Sequence, residues 1–275
     1  MIASFHNHST WSDGQAPFGE FYAYAKKTGV EILGLSDHFC IYPDGTFDDR
    51  MLRPGEVGDY LDELASFRES GEIEIRTGLE IDWFEDHRSV ILPHIERLPL
   101  DYRIGSVHHV DLEPIDLDAS YWSSKSDDER DQIYLKYWRL IREMAESHLF
   151  DIAGHLDLPK KFGFYPTVAV APAIDAALDA IAEHHLVVEC NTAGYGKVCA
   201  DSYPSLEILK KCRQREIPVT LSSDGHIPEH ILYGFEKGLA RLQEAGFATV
   251  ARFRERERWF EPLSDALKTS FRSNL

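Results

Sequence analysis

Two histidines separated by one residue, His6 and His8, close the first apolar run of the chain, Ile2-Ala3-Ser4-Phe5. In an extended strand, residues two apart point to the same face, so both imidazoles can be presented to one point in space. A metal ion needs that convergence. A His-x-His pair alone is a weak signal, but other apolar runs also end in His, Asp or Glu. Those runs supply His38, Glu80, His108, His155, Asp224 and His226, and Asp13 lies on the loop after the first run. Six of the thirteen histidines therefore stand at strand ends. Imidazole mixed with carboxylate is the ligand set favoured by zinc, iron and manganese. One ion takes about four to six ligands, so this set implies two or three divalent ions with a bridging carboxylate. Glu80, alone among imidazoles, is the natural bridge.

The elements that must carry these residues alternate regularly. Apolar strands are expected up to His8 and over residues 30–36, 73–79, 102–107, 150–154, 186–189 and 217–222. The third leads directly into Glu80 and Asp82, and the sixth into Asn191-Thr192-Ala193-Gly194. Helical spacing is expected over 18–27, 54–70, 87–97, 131–148, 171–185, 205–216 and 228–246, with Gly29 closing the first helix. Residues 110–128 form a long polar connection, acidic and aromatic, that suits a lid or substrate loop. An apolar and basic stretch through Phe260 finishes the fold.

Seven strands alternating with helices imply parallel βα units, and near-continuous apolar strands imply a sheet covered by helices. Polar residues at the C-terminal ends of the strands match the placement of active sites in (β/α) barrels. The expected fold is a distorted (β/α)7 barrel spanning residues 1–275 as one domain, with a doubly wound open sheet as the alternative.

The remaining polar residues have plainer readings. His87, His94, His148, His184, His185 and His230 fall in helices or at their ends and read as surface or packing residues. His109 should face away from His108, and Asp37 away from His38, where it could orient an imidazole from behind. Glu189 and Asp151 read as structural. The four cysteines, Cys40, Cys190, Cys199 and Cys212, have no C-x-x-C spacing and indicate neither a disulfide framework nor a thiolate zinc site.

A formal charge of −18 argues against long nucleic acids as partners, since these require a basic footprint. A small anionic substrate remains compatible where bound metals supply positive charge. No apolar run approaches the roughly 20 residues of a membrane span. The start of the chain has no cationic and apolar leader, so the cytoplasm is the expected location. The oligomeric state is not legible.

Taken in order, His6-x-His8, Ser12-Asp13-Gly14, Ser36-Asp37-His38, Gly78-Leu79-Glu80, Ser106-Val107-His108, Gly154-His155-x-Asp157 and Ser223-Asp224-x-His226 resemble the PHP superfamily, the polymerase and histidinol phosphatase group. Within it the chain looks most like the histidinol-phosphate phosphatases. The pieces that carry this are His155-Leu156-Asp157-Leu158 running into Lys160-Lys161-Phe162-Gly163, then Asn191-Thr192-Ala193-Gly194, Tyr203-Pro204-Ser205, and the run from Gly246-Phe247 to Arg256.

The resemblance implies a trinuclear site. One ion is held by His6, His8, Glu80 and Asp224, a second by Glu80, His108 and His155, and a third by His38, His226 and Asp13. It also implies metal-dependent hydrolysis of a phosphate monoester, L-histidinol phosphate, to L-histidinol and phosphate in histidine biosynthesis. Clustered zinc, manganese or iron would lower the pKa of a water to about 7. Glu80, Asp224 and Asp13 are the expected catalytic carboxylates. Lys160 and Lys197 are the expected phosphate contacts, although lysine lacks the bidentate geometry of arginine. Asp116, Tyr121 and Trp122 are candidates for the imidazole and amine of the substrate. The alternatives are another PHP phosphoesterase, acting on nucleotides or phosphodiesters, and a non-catalytic metal-binding module.

Overall fold

The structure, a computed structural model, describes residues 1–263. Seven parallel strands lie side by side in chain order: β1 (Ala3–Ser4), β2 (Ile32–Leu35), β3 (Glu74–Asp82), β4 (Tyr102–Ser106), β5 (Ile152–Ala153), β6 (Val187–Asn191) and β7 (Val219–Ser222). The register runs Ala3 to Ile32, Ile32 to Glu74, Gly78 to Tyr102, Ile104 to Ile152, Ile152 to Val187 and Val188 to Val219. No ladder joins β7 back to β1. Instead Asn7 bridges Gly225: the His8 N–H donates to the Gly225 carbonyl at 2.8 Å and the Gly225 N–H to the His6 carbonyl at 3.2 Å. The sheet is thus a nearly closed, distorted (β/α)7 barrel rather than a doubly wound sheet. Its closure falls on the backbone of the two histidines that end β1.

Each strand is followed by a helix: α1 (Phe18–Thr28), α2 (Val57–Glu69), α3 (Arg88–Ile95), α4 (Asp127–Glu146), α5 (Ala171–Glu183), α6 (Leu206–Gln214) and α7 (Phe235–Glu244). Gly29 ends α1 in the left-handed conformation (φ 76°), as a C-terminal glycine should. The helix expected over 54–70 starts three residues later, at Val57, and two others differ more. The helix expected over 131–148 begins four residues earlier, where Ser126 and Glu129 form a reciprocal capping box. The one expected over 228–246 is split into a 3-10 turn at Pro228–His230 and α7. Among the described residues, no helix is long and apolar enough to cross a membrane. The expectation of one domain over 1–275 includes residues 264–275, which lie outside the described residues.

β3 shows how the barrel is layered. Ile75, Leu79 and Ile81 face outward into the core beneath the helices. Their neighbours, at the strand period of two, face inward. Arg76 lies lowest, donating to the Phe253 carbonyl at 2.9 Å. Gly78 comes next, and a Cβ there would sit 2.3 Å from the Tyr102 ring. Glu80 and Asp82 follow at the top. The strand expected to stop at Leu79 continues to Asp82, so both carboxylates are held within the ladder.

Apart from Arg76, the lower interior is lined by apolar side chains. The stretch near the chain's end forms an antiparallel hairpin, β8 (Thr249–Arg254) and β9 (Glu257–Pro262). Its Ala251 and Phe253 pack against Ala3, Phe5, Ile32, Tyr102, Ile104, Ile152 and Val187. Phe5 meets Tyr102 and Phe253 edge-on at 5.3 and 5.7 Å. The Tyr102 hydroxyl donates to the Leu35 carbonyl at 3.1 Å and also to that of Phe5. With the floor plugged in this way, the cavity that reaches the polar residues lies at the C-terminal ends of the strands.

This packing sets a measurable limit on residue 78. Gly78→Ala should destabilise the fold by about 1–3 kcal/mol through overpacking against Tyr102, read as a lower urea midpoint. An unchanged midpoint would show that the ring has room to move.

Candidate metal centre

The strands end at one mouth and deliver their polar side chains into it. Glu80, fully buried, stands at the centre, and its two oxygens face different neighbours. Oε2 lies 3.2 Å from His6 Nε2, 3.5 Å from His8 Nε2 and 2.8 Å from His38 Nδ1. Oε1 lies 2.7 Å from His155 Nε2 and 3.6 Å from His108 Nε2, and those two nitrogens are 3.2 Å apart. Asp224 Oδ1 closes the first group, 3.1 Å from His8 Nε2 and 3.8 Å from His6 Nε2. A third group forms nearer solvent, where Asp13 Oδ1 lies 3.3 Å from His226 Nε2 and 3.6 Å from His38 Nε2. The eight residues singled out by their strand-end positions share one connected cluster with Asp13 from the first loop. His108 also groups with His38 and Asp82 at ligand spacing.

Several of these atoms have no hydrogen-bond partner although they are buried: His6 Nε2, His8 Nδ1 and Nε2, His38 Nδ1 and Glu80 Oε2. Leaving one such atom unsatisfied costs about 1–3 kcal/mol, so the four that converge around Glu80, His6 Nε2, His8 Nε2, His38 Nδ1 and Glu80 Oε2, point to a shared partner. Imidazole nitrogens and carboxylate oxygens at this spacing suit divalent cations.

The charge balance agrees. Burial pushes Glu80 toward neutrality, but His6, His38, His108 and His155 outweigh it and hold its pKa well below the carboxylate range. Asp224 is held down in the same way, against burial, by His6, His8 and His226. Burial opposes charge on His108, yet Asp82 and Glu80 push it up to about 10; Asp13 and Asp224 likewise carry His226 to about 9. His6 and His38 are also raised, by Glu189, Glu80 and Asp224 in the first case and by Glu80 and Asp13 in the second, in each case against burial. His8 goes the other way, to about 3, because burial is reinforced by His38 and His226. The cluster is short of positive charge, and without cations it takes up protons.

A second layer sets which ring nitrogen faces inward. His6 Nδ1 lies 2.7 Å from Glu189 Oε1, His108 Nδ1 is 2.6 Å from Asp82 Oδ1, and His226 Nδ1 is 3.0 Å from the Asp224 carbonyl. An acceptor at Nδ1 keeps the proton there and leaves the Nε2 lone pair free. Sequence reasoning placed Asp82 just past the end of its strand without a role and read Glu189 as structural. The signal for both was present in the period of two, since Asp82 shares a face with Glu80, and Glu189 shares one with Asn191.

Four expectations need correction or relocation. Asp37 does point away from His38, but it orients a loop rather than an imidazole. It accepts from the Ser9 N–H at 2.7 Å, Ser9 Oγ at 3.0 Å and Ser12 Oγ at 2.7 Å, pinning the segment that carries Asp13. His109 does not face away from the site. β4 ends at Ser106, so alternation no longer governs His109, which lines the mouth with its Nδ1 3.4 Å from Asp82 Oδ2. Lys160 is buried below the wall, its ammonium bound to Asp157 at 2.9 Å, Asp201 at 3.1 Å and the Ser202 carbonyl at 2.8 Å, so it has no donor left for phosphate. Trp122 is a core residue whose Nε1 donates to the Ile115 carbonyl at 2.7 Å.

Lys197 is exposed on the rim of a cavity of about 530 Å3 that opens above the cluster. Asp116 lines the same cavity and accepts from Lys161 Nζ at 3.0 Å. Tyr121 lies under Lys125 at 4.2 Å, outside the cavity lining.

Comparison with known proteins gives a consistent family. The PHP domain pattern matches residues 4–193. A protein of Deinococcus radiodurans named "Probable histidinol-phosphatase" is 31% identical over 243 residues, covering 86% of this chain and 90% of the relative. The histidinol-phosphatase of Bacillus subtilis is 26% identical over 246 residues, covering 79% and 90%. The fold is shared with the crystal structure of a histidinol phosphate phosphatase from Lactococcus lactis complexed with zinc, L-histidinol and phosphate. Its TM-score is 0.78 at 22% identity, over 94% of this chain and 98% of that one.

The raised imidazoles make a prediction about metal uptake. At neutral pH the metal-free cluster holds protons on His108 and His226, and a cation must displace them. Zinc binding should therefore release protons, and apparent affinity should rise with pH up to the region of about 9 to 10 where His226 and His108 lose theirs. Calorimetry in buffers of different ionisation enthalpy measures the release. Binding heats that do not depend on the buffer would contradict this charge balance.

Proposed function

The chain belongs to the PHP family, and we propose that it is a metal-dependent phosphomonoesterase that hydrolyses L-histidinol phosphate to L-histidinol and phosphate, a step of histidine biosynthesis. The observation that carries this reading is Glu80, a buried carboxylate whose two oxygens each face a separate group of imidazoles. The curated relatives named histidinol-phosphatase, and the zinc, histidinol and phosphate of the Lactococcus structure, supply the substrate and a metal.

In this reading His6, His8, Glu80 and Asp224 hold one ion, Glu80, His108 and His155 a second, and His38, His226 and Asp13 a third. Two or three zinc, manganese or iron ions there would supply the Lewis acidity that activates water and neutralises the phosphoryl oxygens. The chain's own part is positioning. Glu80 is fixed inside the β3 ladder, and Ser106 Oγ donates to its Oε1 at 2.6 Å, so the bridging group is preorganised. Asp13, on the exposed side of the cluster, and Asp224 flank the mouth, where either is placed to hand a proton to the leaving oxygen. Lys197 supplies positive charge on the rim, where an acidic chain must draw in an anion. The site takes a small substrate, and the chain acts as one PHP-type domain in the cytoplasm.

Comparative turnover tests this. L-histidinol phosphate should be preferred over an aryl phosphate and a phosphodiester, and His8→Ala should lower kcat/KM by about 100-fold or more. Lys197→Ala should raise KM about tenfold with little change in stability. Lys160→Ala should instead cost about 3–5 kcal/mol of stability, because Asp157 and Asp201 lose their buried partner. Equal turnover of the phosphodiester points to another PHP phosphoesterase. A metal-loaded protein inert toward all three is a binding module.

A further inference from the structure

β6 turns two polar side chains toward the barrel axis, Glu189 and Asn191, and both are completely buried. A carboxylate in such a place is tolerated only when several donors surround it. Glu189 has three. Its Oε1 accepts from His6 Nδ1 at 2.7 Å, and its Oε2 accepts from the backbone N–H of His155 at 2.8 Å and from Asn191 Nδ2 at 3.1 Å. The same Asn191 Nδ2 lies 3.4 Å from Asp224 Oδ2. The partners of this one side chain thus come from both groups that share Glu80: His6 and, through Asn191, Asp224 from the first, and His155 from the second.

We propose that Glu189 is a positioning residue that sets the tautomer of His6 and holds the two cation half-sites at a fixed separation across Glu80. The inference rests on the metal-centre reading. It goes further by assigning the registration of the two half-sites to a residue that ligates neither.

The chemistry of the carboxylate makes this testable with a substitution of nearly the same shape. A carboxylate only accepts, whereas an amide has one accepting oxygen and one donating NH2. The donor from His155 is a backbone N–H and cannot adapt, while the His6 ring can move its proton. In Glu189→Gln the amide oxygen therefore stays with His155 and Asn191, and the NH2 group faces His6. His6 Nδ1 must then accept, its proton passes to Nε2, and the lone pair aimed at Glu80 and Asp224 is lost. Only the first half-site should suffer.

The full-length protein, stripped with a chelator and titrated with zinc against a chromophoric competitor, reads this directly. Wild type and Glu189→Gln are compared after circular dichroism shows both folded. The variant should weaken one class of zinc site about 10- to 100-fold, with the others within about threefold of wild type. An unchanged isotherm, or equal weakening of every class, overturns the proposal. Wild-type protein that takes up no zinc overturns the metal-centre reading instead. If the variant does not fold, nitrogen NMR of histidine-labelled, zinc-loaded wild type decides the question. His6 should carry its proton on Nδ1, and a proton on Nε2 overturns the assignment.

Discussion

A negative charge buried at the axis of a barrel is the constraint from which the rest follows. Glu80 has no access to water and lies inside the β3 ladder, so it can neither hydrate nor swing away. An isolated carboxylate in that position is strongly disfavoured unless positive charge and hydrogen bonds surround it. Imidazoles answer the need because they carry either a proton or a metal ion. The imidazoles facing Glu80 reach it from four different strand ends, His6 and His8 sharing one, so the charge can be satisfied only if the barrel closes. The closure between β1 and β7 runs through the backbone of His6, Asn7, His8 and Gly225, which ties the architecture to the chemistry at a single seam.

The two halves of the interior divide the work. Below Glu80, Phe5, Tyr102 and Phe253 fill the barrel, and the β8–β9 hairpin seals the floor. Glycines at 34 and 78 make room for the Tyr102 ring and hydroxyl. This apolar floor excludes water from beneath the carboxylate and leaves only the upper face for cations and substrate. Above it, Asp82, Glu189 and the Asp224 carbonyl fix the ring nitrogens. The outer rim carries charge of its own in Lys197 and the Lys161–Asp116 pair.

Much of this was legible from residue order. Seven apolar runs with polar ends predicted both the barrel and eight of the residues now found clustered, because strand period and strand direction determine where an end residue points; Asp13, on a loop, came from its place beside the first run. Local rules failed where tertiary partners decide. Lys160 follows a strand-end motif, yet Asp157, three residues before it, and Asp201, brought from elsewhere, withdraw its ammonium from the cavity. His109 was read by strand alternation beyond the point where the ladder stops. Glu189 looked structural because nothing local shows that His6, 183 residues away, is its partner. The floor hairpin, whose strands pair only with each other, carried no strong alternation to announce it.

The central proposal is that Glu80 would join two cations, one at each of its oxygens. Crystals of zinc-loaded protein, with anomalous diffraction collected at the zinc edge, test it most directly. The account predicts one anomalous peak between Glu80 Oε2 and His6, His8 and Asp224, and another between Glu80 Oε1 and His108 and His155. Zinc peaks that leave Glu80 uncoordinated, or a single peak away from the barrel mouth, would contradict it.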